Sequence, residues 1–205
     1  MRLREFLERQ VWSRGVPVAL LPGNHDNPAL LRAALGRRAV LAPALLPLGG
    51  WGVLLLNSHR PGAVEGWLEA RQLAWLDQQL ADGHGPLLVA LHHPPLAIGD
   101  AQLDGIALRQ GEQLLERLLA QPRVRAVVFG HIHQHWQTVL ARPGAAPPLQ
   151  LWGCPSTLAS FAAVQPCPLG LADWPGGRLL NLEPTGRLQA QLLRWPPPPS
   201  LSPSP

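Results

Sequence analysis

Apolar positions along this chain fall into two spacings, and each predicts its own element. Leu3, Phe6, Leu7 and Val11 recur at helical spacing, so 3–12 reads as an amphipathic helix that Gly15 and Pro17 bring to a stop. A second helix is predicted over 29–35, with Asn27 as its N-cap and Pro28 in its first turn. A third is predicted over 65–80, where Trp67, Leu68, Leu73, Trp75, Leu76 and Leu80 share one face, and a fourth over 111–119. Short apolar runs bounded by Gly, Pro and polar residues read instead as buried strands, over 17–21, 51–57, 86–91 and 124–129. Beyond residue 129 strands dominate: 138–140 with 149–152, and a closing hairpin of 178–182 with 187–193 around Pro184-Thr185-Gly186. Alternating strands and helices followed by strands predict a layered α/β sandwich in one domain, 1–195. The segment 196–205 is almost entirely Pro and Ser and is expected to be a disordered tail.

Three of the apolar runs end in histidine-bearing motifs. Pro17-Val18-Ala19-Leu20-Leu21 leads to Gly23-Asn24-His25-Asp26, Leu87-Leu88-Val89-Ala90-Leu91 to His92-His93-Pro94-Pro95, and Val127-Val128-Phe129 to Gly130-His131-Ile132-His133. Ligands of open α/β sheets gather at the carboxyl ends of the strands, so these residues are candidates for one metal-centred site. Asn24 offers a neutral carbonyl oxygen to a hard cation. His25 could donate a proton to a departing alkoxide or contact phosphate. His92 and His93 would point opposite ways in an extended chain, so one of the two is expected to ligate and the other to be a packed neighbour. His131 and His133, two apart on an extended segment, would face the same side, and His135 is expected to stand behind them or at the surface.

Composition narrows the picture little. All 17 basic residues are arginine, and the formal charge of +4 is spread rather than gathered into a stripe, which argues against a nucleic-acid partner. No apolar run approaches the ~18 residues of a membrane span, and the charged N-terminus is unlike a signal peptide. A cytoplasmic protein with no membrane partner is expected. Cys154 and Cys167 match no cysteine motif and are expected to be free thiols.

Taken together and in this order, the three motifs resemble those of the calcineurin-like metallophosphoesterases. The region 62–80, the segment Cys154-Pro155-Ser156-Thr157 with Phe161, and Asp173-Trp174-Pro175-Gly176-Gly177 are similar to bacterial cyclic-AMP phosphodiesterases, so the likeness covers about 3–193. It implies a layered α/β/β/α sandwich and two divalent metal ions, iron, manganese or zinc. It also implies hydrolysis of a small-molecule phosphodiester, 3',5'-cyclic AMP to 5'-AMP, by metal-activated hydroxide attacking phosphorus in line. Carried over by position, Asn24, His92 and His131 would bind one metal and His133 the other. Asn24, His25 and His133 would contact substrate, with His25 as the catalytic acid.

The chain departs from that family in one respect. The family's opening Asp-x-His strand and Gly-Asp strand, which complete the first metal site and bridge the two ions, have no counterpart here. The sandwich is therefore expected to be N-terminally truncated by a piece on the order of 30 residues, with the second metal site incomplete and a sheet edge open. Three alternatives to a cyclic-AMP phosphodiesterase stay open: a catalytically inactive fragment, a non-enzymatic metal-binding domain of the same fold, and a phosphoesterase for glycerophosphodiesters. Composition and motifs leave the oligomeric state undetermined.

Overall fold

Period-two alternation in short apolar runs builds the centre of this protein. The computed structural model describes residues 2–197, so all but the first two residues of the Pro/Ser-rich segment expected over 196–205 lie outside the described residues. The chain opens with α1 (Arg2–Phe6), extended by a π-helical and a 3-10 turn, then β1 (Val18–Leu20), α2 (Pro28–Leu35) and β2 (Ala39–Leu41). There follow β3 (Ala44–Leu48), β4 (Trp51–Leu55), α3 (Ala70–Ala81), β5 (Leu87–Leu91), α4 (Ala101–Gly105) and α5 (Gly111–Leu119). Strands close the chain: β6 (Val124–Phe129), β7 (Trp136–Leu140), β8 (Leu149–Gly153), β9 (Gly176–Leu182) and β10 (Leu188–Arg194).

Six strands form the main sheet in the order β3-β4-β5-β6-β8-β7, with β4, β5, β6 and β8 parallel and an antiparallel strand at each edge. Leu87, Val89 and Leu91 of β5 face one side, where Leu76 and Leu80 of α3 and Leu114 and Leu118 of α5 cover them. Leu88 faces the other side with Trp51, Ala126 and Trp152, under Leu180, Leu182, Leu188 and Ala190 of the β9–β10 hairpin. The Trp51 indole N–H donates to the Glu183 carbonyl (2.7 Å), tying the hairpin turn to the sheet. A register shift puts Arg125 opposite no residue of β5, so Val124 and Val127 reach the same face. β1 and β2 pair in parallel as a separate two-stranded sheet, against which the π-helical turn after α1 packs through Leu7 and α2 through Leu31 and Leu35. The layers are those expected: helices, main sheet, a second layer of strands, and the N-terminal helices on the small sheet.

Most predicted elements fall where the spacing put them, and Asn27 caps α2 by accepting from the amides of Ala29 (3.0 Å) and Leu30 (3.1 Å). One boundary differs. The helix predicted over 65–80 begins only at Ala70, because the backbone before it is engaged elsewhere. Gly66 bridges to the Leu108 segment, and the Gln110 amide both donates to the Leu68 carbonyl (3.1 Å) and accepts from the Leu68 N–H (3.1 Å). The strands β2 and β3 and the short α4 had no predictive signal in the apolar spacing. Cys154 and Cys167 are both free, as expected. No helix among the described residues is long and apolar enough to cross a membrane.

Arg142 is the buried charge that holds the β7–β8 connection to the core. Its guanidinium donates to the carbonyls of Leu118 (2.8 Å), Leu119 (3.0 Å), Gln121 (3.2 Å), Val124 (2.8 Å) and Pro147 (2.6 Å), satisfying the exposed end of α5. Arg142→Met keeps the bulk but strands those acceptors. A cost of about 3 kcal/mol is expected, read as a thermal midpoint lowered by roughly 6–12 °C in circular dichroism. An unchanged midpoint would show that the carbonyls find water instead.

Candidate metal centre

Parallel pairing sets Leu55 opposite Ala90 and Ala90 opposite Val128, so β4, β5 and β6 end together. The residues that follow them, Ser58, His92, His93 and His131, therefore meet at one edge of the sheet, and the turn after β1 brings Asn24 to the same place. The His92 Nε2–H donates to Asn24 Oδ1 (2.9 Å), and His131 Nδ1 lies 3.2 Å from the same nitrogen. Two electron-pair donors, Asn24 Oδ1 and His131 Nδ1, thus converge on the His92 Nε2–H between them, and the three polar atoms come from three separate motifs. A glycine makes the convergence possible: a Cβ at residue 23 would stand 2.8 Å from His92 Cε1.

His92, His93 and His131 present ring nitrogens all within 4.8 Å of one another. Hydrogen bonding distinguishes the two residues of the adjacent pair. The His93 Nε2–H donates to the Val64 carbonyl (3.0 Å), which leaves Nδ1 to accept from the Ser58 hydroxyl (2.8 Å). Ser58 in turn accepts the His93 amide (3.3 Å), so both ring nitrogens of His93 are consumed by the protein. His131 Nε2 and His133 Nδ1, by contrast, are buried without a partner. Orphaned buried nitrogens are costly unless something else meets them, and a divalent cation suits neutral imidazole.

Burial keeps these imidazoles uncharged. Desolvation foremost, followed by the neighbouring histidines, lowers His92 to about 3. Desolvation lowers His93 to about 4, against the opposing pull of the Val64 carbonyl. His131 is lowered to about 4 by desolvation and then by His93, His133 and His25, and His133 is shifted down by desolvation and His25. Lone pairs are therefore available at neutral pH without the removal of a proton from a cationic ring.

The His131/His133 pair corrects the reading of an extended segment. Both residues lie in the left-handed region, with φ of 65° and 51°, and 130–135 is a turn outside any strand. Left-handed non-glycine residues are strained and cluster at functional sites. His133 stacks on Phe161, the ring centroids 4.5 Å apart and the planes 13° from parallel. His135, expected behind the pair or at the surface, is buried and accepts a hydrogen bond from Arg178 (2.9 Å). His25 is exposed at the rim, close enough for its charge to bear on His92, His131 and His133. Asp26 turns away, its carboxylate accepting the Gly23 amide (2.7 Å). A cavity of about 530 Å³ opens beside Asn24, lined by Asn27, His59, Pro61 and Gly62 among others.

Ser58 and Arg178 were not singled out by sequence. Ser58 had a usable signal, since polar Asn57-Ser58-His59 ends the 51–56 apolar run as histidines end the others. Arg178 sits in a strand among apolar and glycine residues and carries no such mark.

A family model described as calcineurin-like phosphoesterase matches residues 2–135. A protein named as a probable cyclic nucleotide phosphodiesterase of Synechococcus sp. strain WH7803 is 48% identical over 204 residues, covering 95% of this chain and 75% of the relative. The 3',5'-cyclic adenosine monophosphate phosphodiesterase CpdA of Pseudomonas aeruginosa is 36% identical over 186 residues, covering 87% of this chain and 63% of the relative. Among solved structures, a dimetal phosphatase from Danio rerio superposes with a TM-score of 0.59 at 14% identity, over 95% of this chain and 75% of that one, a likeness of fold.

The depressed histidine pKa values give a pH dependence with a definite sign. A histidine whose folded pKa lies below the unfolded value near 6.5 binds its proton more readily when unfolded. Its stabilising contribution is complete above pH 6.5 and is lost as pH falls towards the folded values of about 4 and 3. For the chelator-treated protein, the thermal midpoint is expected to fall between pH 6.5 and 4. In His92→Gln the fall should be smaller, and equal slopes in the two proteins would contradict a neutral His92.

Proposed function

The chain belongs to the calcineurin-like phosphoesterase family, and from that premise we propose that it hydrolyses the phosphodiester bond of a cyclic nucleotide, 3',5'-cyclic AMP foremost, to 5'-AMP. The observation that carries the reading is the meeting of Asn24 Oδ1, His92 Nε2 and His131 Nδ1 within 2.9 and 3.2 Å, beside the unpartnered nitrogens of His131 and His133. The relatives named as cyclic nucleotide phosphodiesterases support the substrate class. We assign 1–195 to the phosphoesterase domain, since the β9–β10 hairpin beyond the matched region completes one face of the same core. The cytoplasm is the compartment this reading requires.

The neutral nitrogen and oxygen donors fit a divalent ion of the iron, manganese or zinc kind. Asn24, His92 and His131 would hold one such ion, and His133 would belong to a second. When bound, the metal supplies positive charge to the phosphoryl oxygens and acidifies water. The chain's own residues do the rest. His93, locked between Ser58 and the Val64 carbonyl, packs edge-on against His92 (ring centroids 4.8 Å apart) and fixes its orientation. Asn24 and His133 would contact the phosphate. His25, exposed at the rim, would hand a proton to the departing ribose oxygen. The cavity beside Asn24 offers the substrate a place to lie.

A second reading, a metal-binding domain without turnover, is favoured by one observation: the metal-competent cluster among the described residues contains histidines and no carboxylate. Nothing in that cluster offsets the charge of a second dication. The two readings separate in the purified chain with manganese. Phosphodiesterase function predicts release of 5'-AMP from 3',5'-cyclic AMP, whereas metal retained without turnover would favour the second reading. Faster cleavage of a glycerophosphodiester than of the cyclic nucleotide would move the substrate class.

Two substitutions test the assigned roles. His131→Ala should weaken manganese retention by about tenfold or more, measured by metal analysis after dialysis, and unchanged metal content would sink the ligand assignment. His25→Ala should retain the metal while kcat falls by about 10²–10⁴-fold. Loss of metal in His25→Ala would instead make His25 part of the metal site.

A further inference from the structure

Phe161 is an aromatic ring held out beside a polar centre. It is 46% exposed although one of its faces lies against the His133 imidazole at 4.5 Å, nearly parallel. Its backbone amide donates to the His133 carbonyl (3.2 Å), which fixes its distance from the histidine turn. The loop that carries it is pinned on both sides. The Ser156 carbonyl accepts from the Gly176 amide (2.8 Å), the Ser160 hydroxyl donates to the Trp174 carbonyl (2.8 Å), and Gln134 accepts the Val164 amide (2.8 Å). Leu158 and Val164 are also exposed on this loop.

Leaving apolar surface in water is unfavourable, and Phe161 leaves nearly half of its own exposed while anchored in place. A flat ring fixed parallel to a phosphate-side histidine, with its remaining surface open, matches the flat face of a nucleobase. Stacking on an aromatic side chain is worth several-fold to a hundredfold in base affinity and is insensitive to which base is stacked. We infer that Phe161 is the platform on which the base of the nucleotide substrate stacks, an assignment that rests on the phosphodiesterase reading above. Phe161 is then a specificity-determining residue: it separates nucleotides from phosphodiesters that lack a base, while the histidines treat the phosphate of both alike.

Calorimetry on the manganese-loaded chain tests this with two probes, 5'-AMP and ribose 5-phosphate, which differ by the base alone. The wild-type chain should bind 5'-AMP more tightly. In Phe161→Ala the affinity for 5'-AMP should drop about tenfold while that for ribose 5-phosphate stays within about twofold. Phe161→Trp, which keeps a stacking face, should restore 5'-AMP binding. Equal losses for both probes would overturn the proposal and make Phe161 only a support for His133; an unchanged 5'-AMP affinity in Phe161→Ala would overturn it too. Binding of neither probe by the wild-type chain would overturn the phosphodiesterase reading together with the platform, whereas binding of both with equal affinity would overturn the platform alone.

Discussion

β4, β5, β6 and β8 run parallel and come into one register at their carboxyl ends, and that register determines where polar chemistry can collect. A parallel strand buried on both faces has room for polar side chains only where it ends. Here the ends coincide, so each segment leaving the sheet delivers its first polar residues to the same edge. The helices on one face and the hairpin on the other seal the strands without reaching that edge. The hydrogen bonds that join the histidine centre are long-range in sequence for this reason: Asn24 to His92, His92 to His131, Ser58 to His93.

Crowding the imidazoles has an electrostatic condition. His92, His93 and His131 have ring centroids 4.7 to 5.1 Å apart, a distance at which several positive charges could not coexist out of water. The cluster is compatible with folding because burial holds the rings neutral. The same neutrality leaves nitrogen lone pairs exposed to a cation, so the condition for packing the centre is also the condition for ligation. Ser58 and the Val64 carbonyl occupy both ring nitrogens of His93, so that of the His-His pair His93 serves as a brace and His92 turns its Nε2 to Asn24 and His131.

Much of this was legible in the chain because strand ends are marked by abrupt changes from apolar to polar residues. That change located Asn24, His92 and His131, and parallel topology then had to bring them together. The beginning of α3 was not legible, since the face periodicity of Trp67, Leu68, Leu73, Trp75 and Leu76 continues across a segment whose amides are bonded to Gln110 and the Leu108 strand-like stretch. Apolar spacing reports which side chains are covered and is silent on which backbone partners are taken. The conformation at His131 and His133 was equally hidden: alternation reads the same for an extended segment and for a turn that alternates by another route. Arg178 and the Phe161 stack lie far along the chain from the residues they support, and nothing local to them records those contacts.

The histidine turn shows how such a conformation is sustained. His131 and His133 face the centre from left-handed backbone, while Ile132 and Gln134 between and after them are fully buried. Ile132 belongs to the main core, packed so closely on β8 that a Cβ at Gly153 would stand 2.4 Å from its Cδ1. Gln134 holds the Val164 amide, and Arg178 gathers His135 Nδ1, the Trp136 carbonyl and the Gly153 carbonyl with one guanidinium. Left-handed backbone at each histidine costs on the order of 1–3 kcal/mol, and burial of the Ile132 side chain returns about as much as one of them. The remaining anchors come from the last third of the chain, from the 154–175 loop and the β9 strand. The C-terminal segments therefore take part in the centre: they hold the two histidines in a geometry that the turn would not keep alone.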